Sequence, residues 1–344
     1  MLRKDEQGVA FLVEVILIAV ILGGVGFAGY RIMQSRKDKT ATTTSSTDTS
    51  SKAKTVSKAW KDGEFAVKGT YADASVVQIA DGKWRMYYAI QPEVQGNKFE
   101  VYSSISTDGK TWTQETGTRK TMATFPEVIK TKDGKWRMYY QSAAVIKSAI
   151  STDGLTFKDE TGTRVDKAND AGLTFDNVAA PTVELKDDGT YMMVYRGTIN
   201  TRYAADTPNA TTQLLMWATS DDGLTFTKKG IAVDTRDDTL RGQLDGPDIV
   251  KWDDNKLHVF ATTYAGVYEF VFDGAKFGKG TLAFKLASKT TNANAPPLGN
   301  AAGTAPQNDA PPPGDPTFAK INGVWYMYYG IAFADGGIHY ATYQ

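Results

Sequence analysis

The feature that most constrains this chain of 344 residues is a unit that recurs five times along it. Each unit has an apolar run, a tight turn of the Asp-Gly type and an alternating, aromatic-rich run. Two units share the phrase DGKWRMYY letter for letter, at Asp81 and at Asp133. The copies cover residues 74–88, 126–140, 181–195, 247–261 and 316–329. Five copies predict a repeat architecture, because one such unit cannot bury its apolar face alone.

Each unit predicts a β-hairpin. Asp-Gly and Asn-Gly favour tight hairpin turns because they tolerate positive φ. In the second strand of the first unit, Trp84, Met86 and Tyr88 alternate with other residues and therefore share one face. Their counterparts are Trp136, Met138 and Tyr140; Tyr191, Met193 and Tyr195; a weaker set of Leu257, Val259 and Ala261; and Trp325, Met327 and Tyr329. We expect these residues to pack between neighbouring sheets.

A second phrase follows the third strand of three units. It reads STDGKTW at Ser106, STDGLTF at Ser151 and SDDGLTF at Ser220, with a remnant, FDGAKF, at Phe272. The phrase resembles the Asp-box of sialidases and other propellers, S-x-D-x-G-x-T-W/F. The resemblance implies that Ser and Asp satisfy the turn backbone, that Gly provides the bend and that the aromatic residue packs into the blade. The phrase is therefore interpreted as a structural turn.

Four strands per unit and five units predict an all-β fold, a five-bladed β-propeller over residues 59–344. The last unit ends at its third strand, GIHYATYQ. The segment GEFAVKG at 63–69 is similar to LTFTKKG at 224–230, the predicted fourth strand of unit three. We expect segment 63–69 to complete the last blade and close the ring, which removes sheet edges. The Pro-, Ala- and Asn-rich residues 289–315 predict a long loop before unit five.

The N-terminal residues 1–39 predict a membrane anchor. Residues 9–30 are apolar apart from Glu14, and their 22 residues make about 33 Å of helix, enough to cross a bilayer. This stretch resembles the N-terminal segment of type IV pilin-like proteins, in which a Gly precedes a helix with one early Glu. The family's Glu falls five residues after the Gly, whereas Glu14 falls six after Gly8. A plain signal-anchor helix is the alternative.

Both readings predict a single-pass membrane protein whose propeller lies outside the cytoplasm. Residues 40–58 are Ser/Thr-rich without periodicity and predict a flexible linker between the anchor and the folded part.

Composition excludes several classes of site. Lys plus Arg and Asp plus Glu both number 39, so no basic surface indicates a nucleic-acid partner. The chain has no cysteine, which excludes disulfides and thiolate metal sites. The two histidines, His258 and His339, are too few for a His-rich metal centre, and each is predicted to be a packed strand residue. No cofactor is predicted, although a structural Ca²⁺ on oxygen ligands is compatible with the abundant Asp.

Function is expected where the first strand of each unit opens, near the central channel. Aligned on Ala74 and on the prolines that follow, the five units open with Asp73, Phe125, Ala180, Gly246 and Asp315. Carboxylates crowd this channel mouth: Asp73, Glu127, Asp245, Asp248 and Asp315. A narrow channel lined by several carboxylates raises the pKa of one of them by like-charge repulsion, as acid–base chemistry requires.

The stretches ADASVV and DGPDIV resemble the D-P-S-V and E-G-P motifs of five-bladed glycoside hydrolases of the arabinanase and β-xylosidase kind. The resemblance implies inverting hydrolysis, with Asp73 as general base and Asp245, in place of the family's Glu, as general acid. The family's tuning Asp corresponds to Ala180 here, unless Asp176 substitutes. In such enzymes the two carboxyl groups lie roughly 6.5–9.5 Å apart.

The sequence thus predicts a membrane-tethered, extracytoplasmic, glycoside hydrolase-like propeller that acts on carbohydrate at its central pocket by carboxylate general acid/base chemistry. The predicted catalytic residues are Asp73, Asp245 and Asp176. The predicted substrate-binding residues are Glu127, Asp248, Asp315, Arg196 and Arg241, with both arginines in loops on the same face.

Two alternatives stay open. One is a non-catalytic propeller that binds a glycan or a surface, and the other is a structural component of a pilus tip or an envelope. A sialidase fits less well, because sialidases have six blades and an arginine triad, and no arginines align at the blade starts here.

Overall fold

The computed structural model describes residues 58–90, 99–168, 170–207, 209–263, 265–286, 313–331 and 337–344. These residues form 21 strands in five sheets. The predicted membrane helix at 9–30 and linker residues 40–57 lie outside the described ranges. Among the described residues, no helix is both long enough and apolar enough to cross a membrane.

Each sheet is one blade of a propeller. Blade I contains β2 (Tyr71–Ala80), β3 (Lys83–Ile90), β4 (Glu100–Ser106) and β5 (Thr113–Gln114), with β6 (Lys120–Thr121) also paired to β4. Blade II contains β7 (Thr124–Lys130), β8 (Trp136–Ser142), β9 (Val145–Ser151) and β10 (Lys158–Asp159). Blade III contains β11 (Asn177–Leu185), β12 (Tyr191–Ile199), β13 (Thr212–Ser220) and β14 (Thr227–Val233). Blade IV contains β15 (Asp245–Lys251), β16 (Leu257–Thr263), β17 (Gly266–Val271) and β18 (Thr281–Phe284).

Blade V joins the two ends of the chain. It contains β19 (Pro313–Ile321), β20 (Val324–Ile331), β21 (Gly337–Tyr343) and, as its outer strand, β1 (Trp60–Lys68). β1 pairs antiparallel with β21, with Phe65 opposite His339. The expectation that segment 63–69 completes the last blade is confirmed. The loop predicted at 289–315 is too long at its end, because residues 313–315 already belong to β19.

The core lies in the five seams, the interfaces between neighbouring blades. Five clusters of buried apolar residues fill them, one cluster per seam. The alternating residues of each second strand share one cluster, as predicted: Trp84, Met86 and Tyr88 pack in the seam between blades V and I. The residue between them, Tyr87, faces the other way and packs in the seam between blades I and II. Both faces of each second strand are therefore buried.

The three seven-residue turns share one hydrogen-bond pattern, here described for Ser151–Phe157. The Ser151 hydroxyl accepts from the Gly154 N–H at 2.9 Å, and the Asp153 carboxylate accepts from two further backbone N–H groups. The preceding blade contacts the turn, because the Tyr87 hydroxyl donates to the Gly154 carbonyl at 2.7 Å. Tyr139 and Tyr328 make the equivalent bonds to Gly223 and Gly109. These turns therefore connect neighbouring blades.

Candidate active site

All five inner strands are distorted at the same place, where they reach the channel mouth. Each carries a register shift of one extra residue against its second strand. The residue in the bulge has a positive φ of 44° to 55° in every blade. We call these five the rim residues: Asp73, Phe125, Ala180, Gly246 and Asp315. Four of them are not glycine, and left-handed backbone of this kind is costly and concentrates at functional sites.

The bulges bring three aspartates from three blades to one end of the channel. Asp73 of blade I and Asp315 of blade V lie within hydrogen-bond reach of each other. Asp245, the first residue of β15 in blade IV, is close enough for its charge to act on Asp315. Burial, followed by the charges of Asp73 and Asp245, raises the pKa of Asp315 well above its ordinary value. Two of the three predicted catalytic residues are therefore in this cluster, with Asp315 between them.

Gly246 allows this convergence. Its φ is +49°, and a Cβ atom at this position would lie 2.4 Å from the Asp315 Cα. No side chain fits there without moving the backbone of the neighbouring blade. The glycine after Asp245 therefore lets blades IV and V approach each other at the rim.

Arg196 supplies a positive charge to the aspartate cluster. The expectation that Arg196 lies in a loop is wrong, since the residue lies within β12 and is fully buried. Its guanidinium forms a salt bridge with the Asp245 carboxylate and lies 5.3 Å from the centre of the Phe125 ring. Its Nε and Nη2 groups are buried without a protein partner among the described residues. Because a buried charge requires a counter-ion, Arg196 and Asp245 depend on each other.

Glu127 and Asp248 form the floor of the same cavity. The Glu127 carboxylate accepts from the Val183 N–H at 3.2 Å, and that of Asp248 accepts from the Phe318 N–H at 2.7 Å. Each therefore links its own blade to the next one. The Thr182 hydroxyl lies between them, 3.3 Å from Glu127 and 3.2 Å from Asp248.

The two floor carboxyl groups compete for the single proton of the Thr182 hydroxyl. The Thr182 oxygen accepts from the Ile249 N–H at 2.9 Å, and its single proton can be donated to only one carboxylate. Burial raises the pKa of Glu127 to about 7, and burial with the neighbouring Glu127 charge raises that of Asp248. Glu127 and Asp248, two of the predicted substrate-binding residues, thus have a structural role.

The cavity enclosed by the rim and the floor has a volume of about 30 Å³. This is room for about two or three water molecules, because a water needs roughly 10–15 Å³ of such volume. A sugar ring therefore does not enter the channel, and a saccharide would contact Asp73, Asp245 and Asp315 from above the rim.

The other predicted site residues lie outside the cluster. The Asp176 carboxylate accepts from the Asn200 N–H at 2.7 Å and stabilises the loop after β12. Arg241 pairs with Asp206 at 2.6 Å on the loop side of blade IV. Their assigned roles, tuning and substrate binding, stay predictions. Sequence reasoning missed the ring contact of Phe125 with Arg196, although the alignment of blade openings already put Phe125 among the rim residues.

His258 is a packed strand residue, as predicted. It lies in β16 and is 5% exposed, with hydrogen bonds to Glu269 at 2.6 Å and Asp254 at 3.0 Å. Within the described ranges, no group of three or more His, Asp or Glu side chains could hold a metal ion.

Comparisons with known proteins support the fold. No protein-family model and no curated protein matches the sequence. A candidate glycosidase from Bacteroides thetaiotaomicron has a similar structure, with a TM-score of 0.56 and 17% identity over 81% of this chain and 88% of that one. An α-L-arabinofuranosidase from Clostridium thermocellum has a TM-score of 0.51 and 17% identity over 75% of this chain and 81% of that one. A glycosyl hydrolase from Bacteroides ovatus has a TM-score of 0.53 and 14% identity over 80% of this chain and 85% of that one.

These likenesses show the fold that the sequence predicted, a five-bladed β-propeller similar in structure to glycoside hydrolases. At identities of 17% and below they carry the fold alone. The chemistry has to be argued from the rim of this chain.

Proposed function

We propose that this protein is a carbohydrate-active propeller that hydrolyses a glycosidic bond at the channel mouth by carboxylate general acid/base catalysis. One observation carries the proposal: three aspartates from blades I, IV and V converge on the rim. Asp73 and Asp315 form a pair that needs a shared proton, and Asp245 is ion-paired with Arg196. Hydrolysis of this type needs one protonated and one ionised carboxyl group beside the scissile bond.

The surroundings also suit this chemistry. The buried Nε and Nη2 groups of Arg196 are donors without a protein partner among the described residues, so an enclosed water molecule can accept from them. The cavity below the rim is too small for a sugar, which leaves space for the attacking water. We infer that the saccharide binds above the rim and that water approaches from the channel.

A second candidate is a propeller that binds a glycan without cleaving it. It is favoured by the salt bridge of Asp245, which engages the residue that corresponds to the family's general acid. Asp is also shorter by one methylene than the Glu that the resemblance leads one to expect.

The test uses the soluble fragment 59–344 with arabinan, xylan and a panel of aryl glycosides. We expect turnover by the wild type. Asp73→Asn and Asp245→Asn should each lower kcat/KM at least about 100-fold, the typical contribution of a general acid or base. Circular dichroism and thermal unfolding should show that both variants keep the fold.

Asp187→Asn is the matched control. This carboxylate is 85% exposed and pairs with Lys251 at 2.6 Å, away from the rim, so its loss should leave turnover unchanged. Saturable glycan binding without turnover would favour the second candidate. If neither binding nor turnover were found, a structural role in an envelope would be left.

We also propose that the propeller is tethered outside the cytoplasm by the pilin-like helix at 9–30, and that the three seven-residue turns are Asp-boxes. The uninterrupted apolar run supports the first point, and the Ser, Asp and Gly hydrogen bonds of the turns support the second. Protease treatment of intact cells should release the propeller by cleavage in residues 40–58. Protection of the propeller until the cells are lysed would contradict the tether.

A further inference from the structure

We propose that Asp315 is the proton donor of this site and that Asp245, held by Arg196, is its general base. The inference rests on the proposed function and assigns its roles. It reverses the role that the family resemblance gives to Asp245. It also assigns a catalytic role to Asp315 of blade V, which has no such role in the resemblance.

The first step concerns the contact between Asp73 and Asp315. Two carboxylates within hydrogen-bond reach repel each other unless one proton lies between them. The left-handed rim backbone of both residues, with φ of 55° and 44°, holds them there. The pair therefore carries one proton.

The second step decides which of the two residues holds that proton. The Asp73 Oδ2 accepts from the Phe125 N–H at 3.2 Å, and such a donor favours the charged form of Asp73. Within the described part of the chain, no backbone N–H group donates to the Asp315 carboxyl group. The proton therefore belongs to Asp315, which donates it to Asp73 at rest, and the raised pKa of Asp315 agrees.

The third step concerns Asp245. Its Oδ1 accepts from its neighbour, the Gly246 N–H, at 2.8 Å and also takes the salt bridge from Arg196. Both contacts stabilise a carboxylate, and neither allows a carboxyl proton on that oxygen. Asp245 is therefore the ionised group that can accept a proton from water.

The charged groups around Asp315 come from every neighbouring blade. Asp73 faces it from β2, Asp245 from β15 and Arg196 from β12, and only Arg196 opposes the rise of its pKa. Glu127 and Asp248 line the same cavity below. Among these groups Arg196 alone is a cation, and burial with the two aspartates outweighs it, so the pKa of Asp315 lies well above its ordinary value.

The reaction balances with these roles. The water oxygen bonds to the anomeric carbon while one water proton passes to the Asp245 carboxylate. The bond from that carbon to the leaving oxygen breaks, and the leaving oxygen takes the proton of Asp315. Asp245 then holds one proton and the Asp73–Asp315 pair none, and exchange with solvent restores the starting state.

The first test reads protonation without turnover, by infrared spectroscopy of the fragment 59–344 at pH 6. Asp315→Asn should remove one protonated-carboxyl absorption, and Asp245→Asn should remove none. Loss of the absorption in Asp245→Asn, or no loss in Asp315→Asn, would overturn the proposal. Asp187→Asn should leave the spectrum unchanged in this region.

The positioning role of Arg196 is read in the same spectrum. Arg196→Met should add one protonated-carboxyl absorption, because Asp245 loses its counter-ion, and Arg196→Lys should not. A change that is merely structural would affect both variants alike and would count against the role of Arg196.

The second test separates acid from base by the leaving group. An aryl glycoside with an acidic phenol needs little protonation, so Asp315→Asn should retain activity on it while losing at least about 100-fold on an unactivated glycoside. Asp245→Asn should lose activity equally on both. The opposite pattern would return the roles to those of the family. No turnover by the wild type together with the expected spectra would instead remove the proposed function, and with it these catalytic roles.

Discussion

At the scale of single residues, the floor of the channel shows the cost of burying two carboxyl groups side by side. Glu127 and Asp248 each accept a backbone N–H from the next blade, and they meet at the Thr182 hydroxyl. Ser75 and Thr182 occupy the equivalent positions in blades I and III and make the same kind of contact, to the Val128 and Ile249 N–H groups. A neutral hydroxyl therefore suffices for the inter-blade bond. The acids add a dependence on pH.

The pH dependence has a defined sign. Burial raises the pKa of Glu127 to about 7 from an unfolded value of 4.5, so the folded state binds the proton more tightly than the unfolded state. The contribution of Glu127 to stability is then fully present below pH 4.5 and is lost as the pH rises through about 7. Glu127→Gln keeps the acceptor for Val183 and removes the charge. Relative to wild type, this variant should gain roughly 1–2 kcal/mol between pH 5 and pH 8.

Urea unfolding at both pH values measures this gain. Glu64→Gln, on the exposed part of β1, is the control and should run parallel to wild type. If the Glu127→Gln variant followed the pH profile of the wild type, Glu127 would not be the titrating carboxyl group.

Thr182 itself gives a second residue-level prediction. Thr182→Val leaves the Ile249 N–H without its acceptor and removes the hydroxyl between two carboxyl groups. We expect a loss of about 1–3 kcal/mol in the free energy of unfolding, the usual cost of a buried unpaired donor. Thr198→Val is matched to it, since Thr198 lies in the same blade, is equally buried and has no partner for its hydroxyl among the described residues. Equal losses in the two variants would argue against the bridging role of Thr182.

At the scale of the element, the sequence predicts the hairpins, their facing residues and the blade that each belongs to, because turn chemistry and alternation are local. It does not predict the position of Arg196, whose side chain was expected in a loop. The reason is that β12 runs on to Ile199, beyond the end of the repeated phrase. Nor does it predict that the Asp176 carboxylate accepts from the Asn200 N–H, and the tuning role of Asp176 stays a prediction.

The seven-residue turn limits substitution at its glycine. In Gly154 the φ is +71°, and a Cβ atom would lie 2.6 Å from the Arg85 Nη1 and 2.8 Å from the Tyr87 hydroxyl. Gly134 has a similar φ of +79° with no atom within 4 Å of that position. Gly134→Ala should therefore cost about 1 kcal/mol for the backbone conformation alone. Gly154→Ala should cost roughly 1–3 kcal/mol more, from the clash. Denaturant unfolding measures the loss of stability in both variants. Equal losses would mean that Arg85 and Tyr87 of blade I move aside without cost.

At the scale of the whole molecule, the site exists because the ring is closed. Asp73 begins the first blade and Asp315 begins the last, so they meet only when blade V packs against blade I. Their neighbourhood could be inferred from the order of five units in a ring. The shared proton could not, because it depends on bulges at the rim that bring two carboxyl groups within hydrogen-bond reach.

The closing strand gives a prediction on this scale. β1 pairs with β21 along its length, and Ala59 exchanges two backbone hydrogen bonds with Gln344. Its residues Ala66 and Val67 are buried in the seam between blades V and I. A chain that begins at residue 70 loses these contacts and exposes β21 as a sheet edge. We therefore expect it to melt well below a chain that begins at residue 58 and to lose cooperative unfolding.

A synthetic peptide of residues 58–69, added in excess, should raise the melting midpoint again, because it can pair with β21 as β1 does. The same residues in scrambled order should not raise it. Since Asp73 and Asp315 lie on the two blades that this seam joins, turnover should fall and return with the midpoint. A shortened chain with an unchanged midpoint would mean that three strands suffice to hold blade V in the ring.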